Sequence, residues 1–190
     1  DDESGNTNDW AMVNMDTTNG SNQFYDSPTR NFAIQDPGRS SPGLSVGNLK
    51  QTSTFNGASS RVPTAFGLSS GKWYFEFYLD GANCNERTMY ITQNDVYVAT
   101  SGSQIHGATG HYSGYTCFSG NALTSGDPTS TTGESTAYGD TYGADGDVIS
   151  CAVDLDIGAI WWAKNGTWQA SATEAEIEAG NTSKAAQSSM

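Results

Sequence analysis

The sequence predicts an all-β, antiparallel fold, and three stretches carry that prediction. Residues 72–79 and 147–155 each sort their side chains into two alternating sets, the two-residue repeat of a strand. Asn165-Gly166 separates two further β-prone segments, 159–164 and 167–169. A type I′ hairpin turn needs positive φ at both central positions, and Asn followed by Gly is the pair that tolerates it best.

Each element follows in chain order. Residues 1–43 are polar and aperiodic, with Trp10, Phe24, Tyr25 and Phe32 as scattered anchors and turn signals at Pro28 and Pro37-Gly38. They read as an extended leader packed on the domain or on a neighbour. Leu44, Val46 and Leu49, then residues 51–55, predict two short strands bending near Gly47-Asn48. In 72–79, Trp73, Phe75, Phe77 and Leu79 share one face and should look into the core, leaving Tyr74, Glu76 and Tyr78 on the other. Residues 89–92 and 96–100 predict a hairpin around Gln93-Asn94-Asp95. The Gly-, Ser-, Thr- and Tyr-rich stretch 101–144 reads as large loops, with weak strands only at 115–118 and near Ala137-Tyr138. A three-strand meander is then nearly spelled out by 147–155, 159–164 and 167–169, with Asp156-Ile157-Gly158 as its first turn. Thr173 and Glu176 have capping-box spacing, so a short helix is expected at 174–179, and everything after Gly180 reads as polar linker. The domain proper spans 44–170 and the helix and linker 171–190.

Composition narrows the function. Eight Lys and Arg against 21 Asp and Glu give a net charge of −13. A chain this acidic repels phosphate backbones and anionic membrane surfaces, and favours cationic partners if charge is used at all. No apolar run approaches the ~20 residues of a membrane span. Nucleic acid and membrane insertion are therefore not expected. Cys84, Cys117 and Cys151 are too far apart for a zinc motif, and only His106 and His111 are available to complete one. They read as small buried thiols, with one disulfide open to a protein outside the cell.

No nucleophile elbow or phosphate loop occurs. Asp145, Asp147, Asp154 and Asp156 cluster in sequence without the spacing of a calcium loop, and turn and strand-end roles account for them. Glu76 would matter to acid–base chemistry only if its strand adjoined another acid, such as Asp154, at the ~5–9.5 Å that glycosidases use. No catalytic residue, metal or cofactor is expected. His106, His111, Tyr112 and Tyr115 are the candidate contact surface in the loops, because Tyr offers rigid area with a polar tip. Trp161 and Trp162 are candidates for a different reason: their strand sends one into the core and the other outward, where the leader or a neighbouring subunit would cover it.

The run Gly146-Asp147-Val148-Ile149 through Val153-Asp154-Leu155-Asp156, then Ile160-Trp161-Trp162 and Lys164-Asn165-Gly166, resembles the most recognisable stretch of the SPRY family. Ser70-Gly71-Lys72-Trp73-Tyr74-Phe75-Glu76 resembles that family's upstream aromatic strand. The resemblance covers about 44–169 and implies a concanavalin-like antiparallel β-sandwich. The leader, in Asp2 to Trp10, Asp26 to Phe32 and Gly47-Asn48-Leu49, is similar to the lead-in of SPRY-like domains in large virion proteins of tailed phages. The two together imply a non-enzymatic structural or appendage protein of a bacteriophage virion, a fibre or decoration. Its expected partners are other virion subunits or copies of itself, with a host-surface glycan or protein as a further target. The alternatives are a cellular or secreted protein- or glycan-binding module, outside the cell in the secreted case, and a polysaccharide hydrolase. Members of the resembled family carry at least one more strand after the hairpin matching 161–168. That missing edge is expected from a partner or from further sequence.

Overall fold

A computed structural model of the chain describes residues 32–35, 44–52, 64, 67–81, 88–92, 112–125 and 134–188. The expected strand 96–100 and both histidines lie outside these residues. The chain divides into two compact units, Asp1–Thr54 with Ser60–Phe66, and Phe55–Ser59 with Gly67–Met190.

The first unit holds a two-stranded ladder, β1 (Leu44–Ser45) and β2 (Lys50–Gln51), with Leu44 opposite Gln51. Val46, Gly47 and Asn48 turn the chain with φ of 53°, 59° and 65°, so the bend falls where Gly47-Asn48 predicts it. Gln35 joins through a bridge to Thr64 and a 2.8 Å hydrogen bond from its N–H to the Asn48 carbonyl.

Among its described residues the second unit is all-β apart from its C-terminal segment. Its strands are β3 (Lys72–Tyr78), β4 (Thr88–Thr92), β5 (Tyr112–Thr116), β6 (Asn121–Ser125), β7 (Glu134–Ala137), β8 (Val148–Asp154), β9 (Ala159–Lys164) and β10 (Thr167–Trp168). They form two four-stranded antiparallel sheets, ordered β10-β9-β8-β3 and β4-β5-β6-β7. One apolar cluster takes side chains from both. Ile149, Cys151 and Val153 of β8 and Ile160 and Trp162 of β9 meet Tyr115 of β5, with Leu79, Cys117 and Tyr142 closing it. Tyr115 and Trp162 stack at 6.2 Å and 25°. Burial of this set, at ~25 cal/mol per Å² of apolar surface, is the main force holding the two sheets together.

The meander forms as its sequence dictates. Asn165 and Gly166 take φ of 49° and 77°, and Asn165 also binds the start of β8: its Oδ1 accepts from Val148 N at 2.8 Å and its Nδ2 donates to Asp147 Oδ1 at 2.9 Å. Three expectations are corrected. The described part of 101–144 contains three strands, β5 to β7, whose buried positions include the small Ser113, Gly114, Thr116 and Ala122. Small and polar residues leave no hydropathy alternation to read. Trp73 shares the core-side face of β3, opposite Val153, but is not buried there: it is 45% exposed, and its indole donates to the Ser70 carbonyl. Its strand stands at one end of the sheet order, and of the predicted inward set only Leu79 is fully buried.

The third correction concerns the tail. After β10 the chain passes through Ala170 and Ser171, both left-handed with φ of 53° and 56°, into helix α1 (Glu174–Glu178). The predicted capping box is complete, with Thr173 and Glu176 exchanging hydrogen bonds. Residues 181–188 are not a linker. Thr182–Lys184 form a 3₁₀ turn, and Gln187 bridges to Ile160 through Ile160 N to Gln187 O at 3.0 Å and Ala186 N to Ile160 O at 2.7 Å. β10 pairs only with Ala163 and Lys164; farther along that edge of β9, Ile160 is met by residues 186–187 of the same chain and the Trp162 N–H donates to the Tyr138 hydroxyl at 3.2 Å.

Candidate functional site

β3, β8 and β9 alternate strictly, so one face of their sheet feeds the core and the other is built from Lys72, Tyr74, Glu76, Ser150, Ala152, Asp154, Trp161 and Ala163. Helix α1 returns over part of this second face. Between them lies a cleft of about 410 Å³, lined by Ala152, Trp161 and Ala163 of the sheet, by Tyr74 and Trp168 from its two edge strands, and by Glu174, Ile177 and Glu178 of α1. The small residues of β8 and β9 leave the space that larger side chains would fill. Its size falls within the ordinary range of binding pockets.

The walls are aromatic and acidic. Tyr74 is more than half exposed and meets Trp168 edge-on at 6.3 Å. The Tyr74 hydroxyl donates to Glu76 Oε1, and burial, then this bond, raise its pKa above the ordinary tyrosine value. Lys72 is the cation of the cleft lining, and it is engaged: Nζ donates to the Glu178 carbonyl at 2.7 Å and stands 3.6 Å from Asp154 Oδ2. That contact ties β3 to the end of α1, where carbonyls lack helical partners. Trp161 is 1% exposed, and its indole N–H has no acceptor among the described residues. An unpaired buried donor of this kind costs about 1–3 kcal/mol.

The predicted contact residues are thus redistributed. Trp161 lines the cleft together with Glu174, Ile177 and Glu178 of the chain's own C-terminal segment. Trp162 is fully buried in the core and carries no contact surface. Tyr115 is likewise fully buried: its hydroxyl donates to the Asp140 carbonyl, its own carbonyl accepts from Tyr142 Oη at 2.6 Å, and burial pushes its pKa far up. Tyr112 belongs to β5; His106 and His111 lie outside the described residues. Sequence reasoning does not find Trp168, Glu174 and Glu178. Trp168 reads as an ordinary hairpin residue, and the two acids read as helix N-terminal charges.

The aspartates do structural work. Asp156 Oδ1 accepts from Gly71 N, Asp154 Oδ1 from Asp156 N, Asp145 Oδ1 from Gly81 N, and Asp147 Oδ2 from Gly143 and Ala144 N, all at 2.7–3.1 Å. No group of three or more His, Cys, Asp or Glu suited to a metal occurs among the described residues. Glu76 and Asp154 do share a face, but Glu76 pairs with Ser150 and Asp154 with Lys72. Four residues of strand, roughly 13 Å, therefore separate the two acids, beyond the ~9.5 Å upper limit of a glycosidase pair. Cys151 is a buried free thiol and Cys117 is disulfide-bonded.

Among the described residues no helix is long and apolar enough to cross a membrane. No protein-family model matches the chain, and no curated protein matches it.

Proposed function

We propose that this chain is a non-catalytic recognition and assembly module on a SPRY-like, concanavalin-type sandwich, borne on an appendage of a tailed-phage virion. The observation that carries the recognition part is the cleft under α1: aromatic and acidic side chains converge there on a rigid sheet, while Glu76 and Asp154, the acids of the sheet face itself, lie four residues of strand apart. Two antiparallel sheets around one core are what the SPRY resemblance leads one to expect. The virion setting is supported by the resemblance of the leader to phage virion proteins. A disulfide at Cys117 fits a life outside a reducing cytoplasm.

Mass spectrometry of purified virions tests the setting: the protein should be a particle component, and its confinement to the infected-cell cytosol would sink the virion reading. Incubation with a polysaccharide panel tests the chemistry. No reducing ends should be released; release that disappears in Glu76→Gln would replace recognition with hydrolysis.

A further inference from the structure

The cleft has a charge imbalance that points to its occupant. Lys72 lies within ion-pair distance of Asp154, which leaves the Glu174 and Glu178 carboxylates of α1 facing the same space. Four residues apart on a helix, they project from one side, and among the described residues neither has a cationic partner. Tyr74 and Trp168, whose edge-to-face corner presents π-surface, line the same space, as does the apolar body of Trp161. Carboxylates facing aromatic rings form the environment that holds an organic cation, through ion pairing and cation–π attraction together. A whole-chain charge of −13 would draw such a group in from a distance.

We propose that this cleft receives a lysine or arginine side chain presented by a partner protein. The apolar stem of such a side chain lies along Tyr74 and Trp168 while its head meets Glu174 and Glu178. The backbone carrying it also brings carbonyl groups, the kind of acceptor that the Trp161 indole lacks. An anionic ligand is rejected by the same carboxylates. The proposal rests on the recognition reading for the existence of a partner, but not on the virion setting.

The test is a ¹⁵N NMR titration of the whole chain with pentapeptides differing only at the central residue: lysine, arginine, or citrulline, the neutral shape-mimic of arginine. The lysine and arginine peptides should shift the indole resonances of Trp168 and Trp161 saturably. The citrulline peptide should bind at least about tenfold more weakly, and raised salt should weaken the cationic peptides alone. Glu174→Gln with Glu178→Gln should lose at least about tenfold in affinity, the capping pair Thr173 and Glu176 being left intact. Equal binding of the citrulline peptide, or saturable shifts confined to residues away from the cleft, would overturn the proposal. The citrulline and salt comparisons use the unmodified chain, so they decide the question even if the double variant misfolds. Binding of n-butylammonium as tight as that of the lysine peptide would overturn the protein source in favour of a small organic cation. Absence from virions would leave every one of these outcomes unchanged, so failure of the setting and failure of the site are separable.

Discussion

Asp147 is a small residue-level device with a measurable pH signature. It is buried at the start of β8, where desolvation alone would raise its pKa. Hydrogen bonds from the Asn165 amide and from the Gly143 and Ala144 N–H groups, with the nearby charge of Lys164, outweigh that burial and hold the carboxyl below its ordinary value. A folded-state pKa below the unfolded one means that the group stabilises the fold at pH values above the unfolded pKa. That stabilisation fades as pH falls through the unfolded value of ~4 and is gone below the folded one. Urea midpoints at pH 7 and pH 3 should therefore fall further for the native chain than for Asp147→Asn, which should be less stable at pH 7 and flatter across the range. Equal acid sensitivity of the two proteins would remove Asp147 as the sensor. The neighbouring Trp161-Trp162 pair shows the limit of residue-level reading. A pleated strand sends their rings to opposite faces, as expected, yet both are buried, because the face opposite the core is roofed by a segment that the strand's own sequence does not announce.

At the scale of elements, the β9–β10 turn joins two roles that substitution can pull apart. Asn165 tolerates φ of 49° as few non-glycine residues do, and its side chain also fastens the turn to β8 through Val148 and Asp147. Asn165→Gly keeps the backbone and loses the two side-chain bonds; Asn165→Ala loses both advantages. With net hydrogen bonds of roughly 0.5–1.5 kcal/mol each and about 1 kcal/mol for left-handed strain, Asn165→Gly should cost about 1–3 kcal/mol and Asn165→Ala about 1 kcal/mol more. Equilibrium unfolding in urea measures both, and equal losses would show that strain is not part of the turn's role. This meander is legible in the sequence because long aliphatic and aromatic residues alternate and the turn has the Asn-Gly signature. The β5–β7 sheet is not. Its buried positions include Ser113, Gly114 and Thr116, and Gly120 lies so close to the Gly139 carbonyl that a Cβ there would stand 2.1 Å from it. Close packing by smallness leaves a composition that looks like loop.

For the whole molecule, the deciding feature is the return of the C-terminal segment over its own sheet. The sequence predicts an edge that needs covering after β10, but it points to a partner or to further sequence for the cover. The contacts that supply it within the chain span separations no local pattern encodes, Lys72 to the Glu178 carbonyl across 106 positions and Ile160 to Gln187 across the whole of β10 and α1. The cleft is illegible in the sequence for the same reason, since Glu174, Ile177 and Glu178 of its lining come from α1. The segment is anchored at several points: Ala186 packs against the core cluster, Lys184 Nζ donates to Glu176 and to the Ser171 carbonyl, and Gln169, buried beneath the corner, accepts from Asp140 N and donates to the Thr167 carbonyl. A chain ended after Ser171 would keep β10 but lose α1 and the bridge to Ile160. Trp161 would then meet water, and part of the outer edge of β9 would be bare. Burial of one large side chain is worth about 1.5–3 kcal/mol, and the two bridge hydrogen bonds add about 1–3 kcal/mol. The truncated protein should therefore melt roughly 5–20 °C lower, at ~2–4 °C per kcal/mol for a chain of this size. Its tryptophan emission should shift to the red, and it should self-associate through the opened edge. Unchanged melting and emission in the truncated protein would mean that the segment neither covers Trp161 nor closes the sheet in solution. A monomer with red-shifted emission would keep the cover over Trp161 but refute the edge-closing role, because only an uncovered strand edge gives the truncated chain a reason to pair with itself.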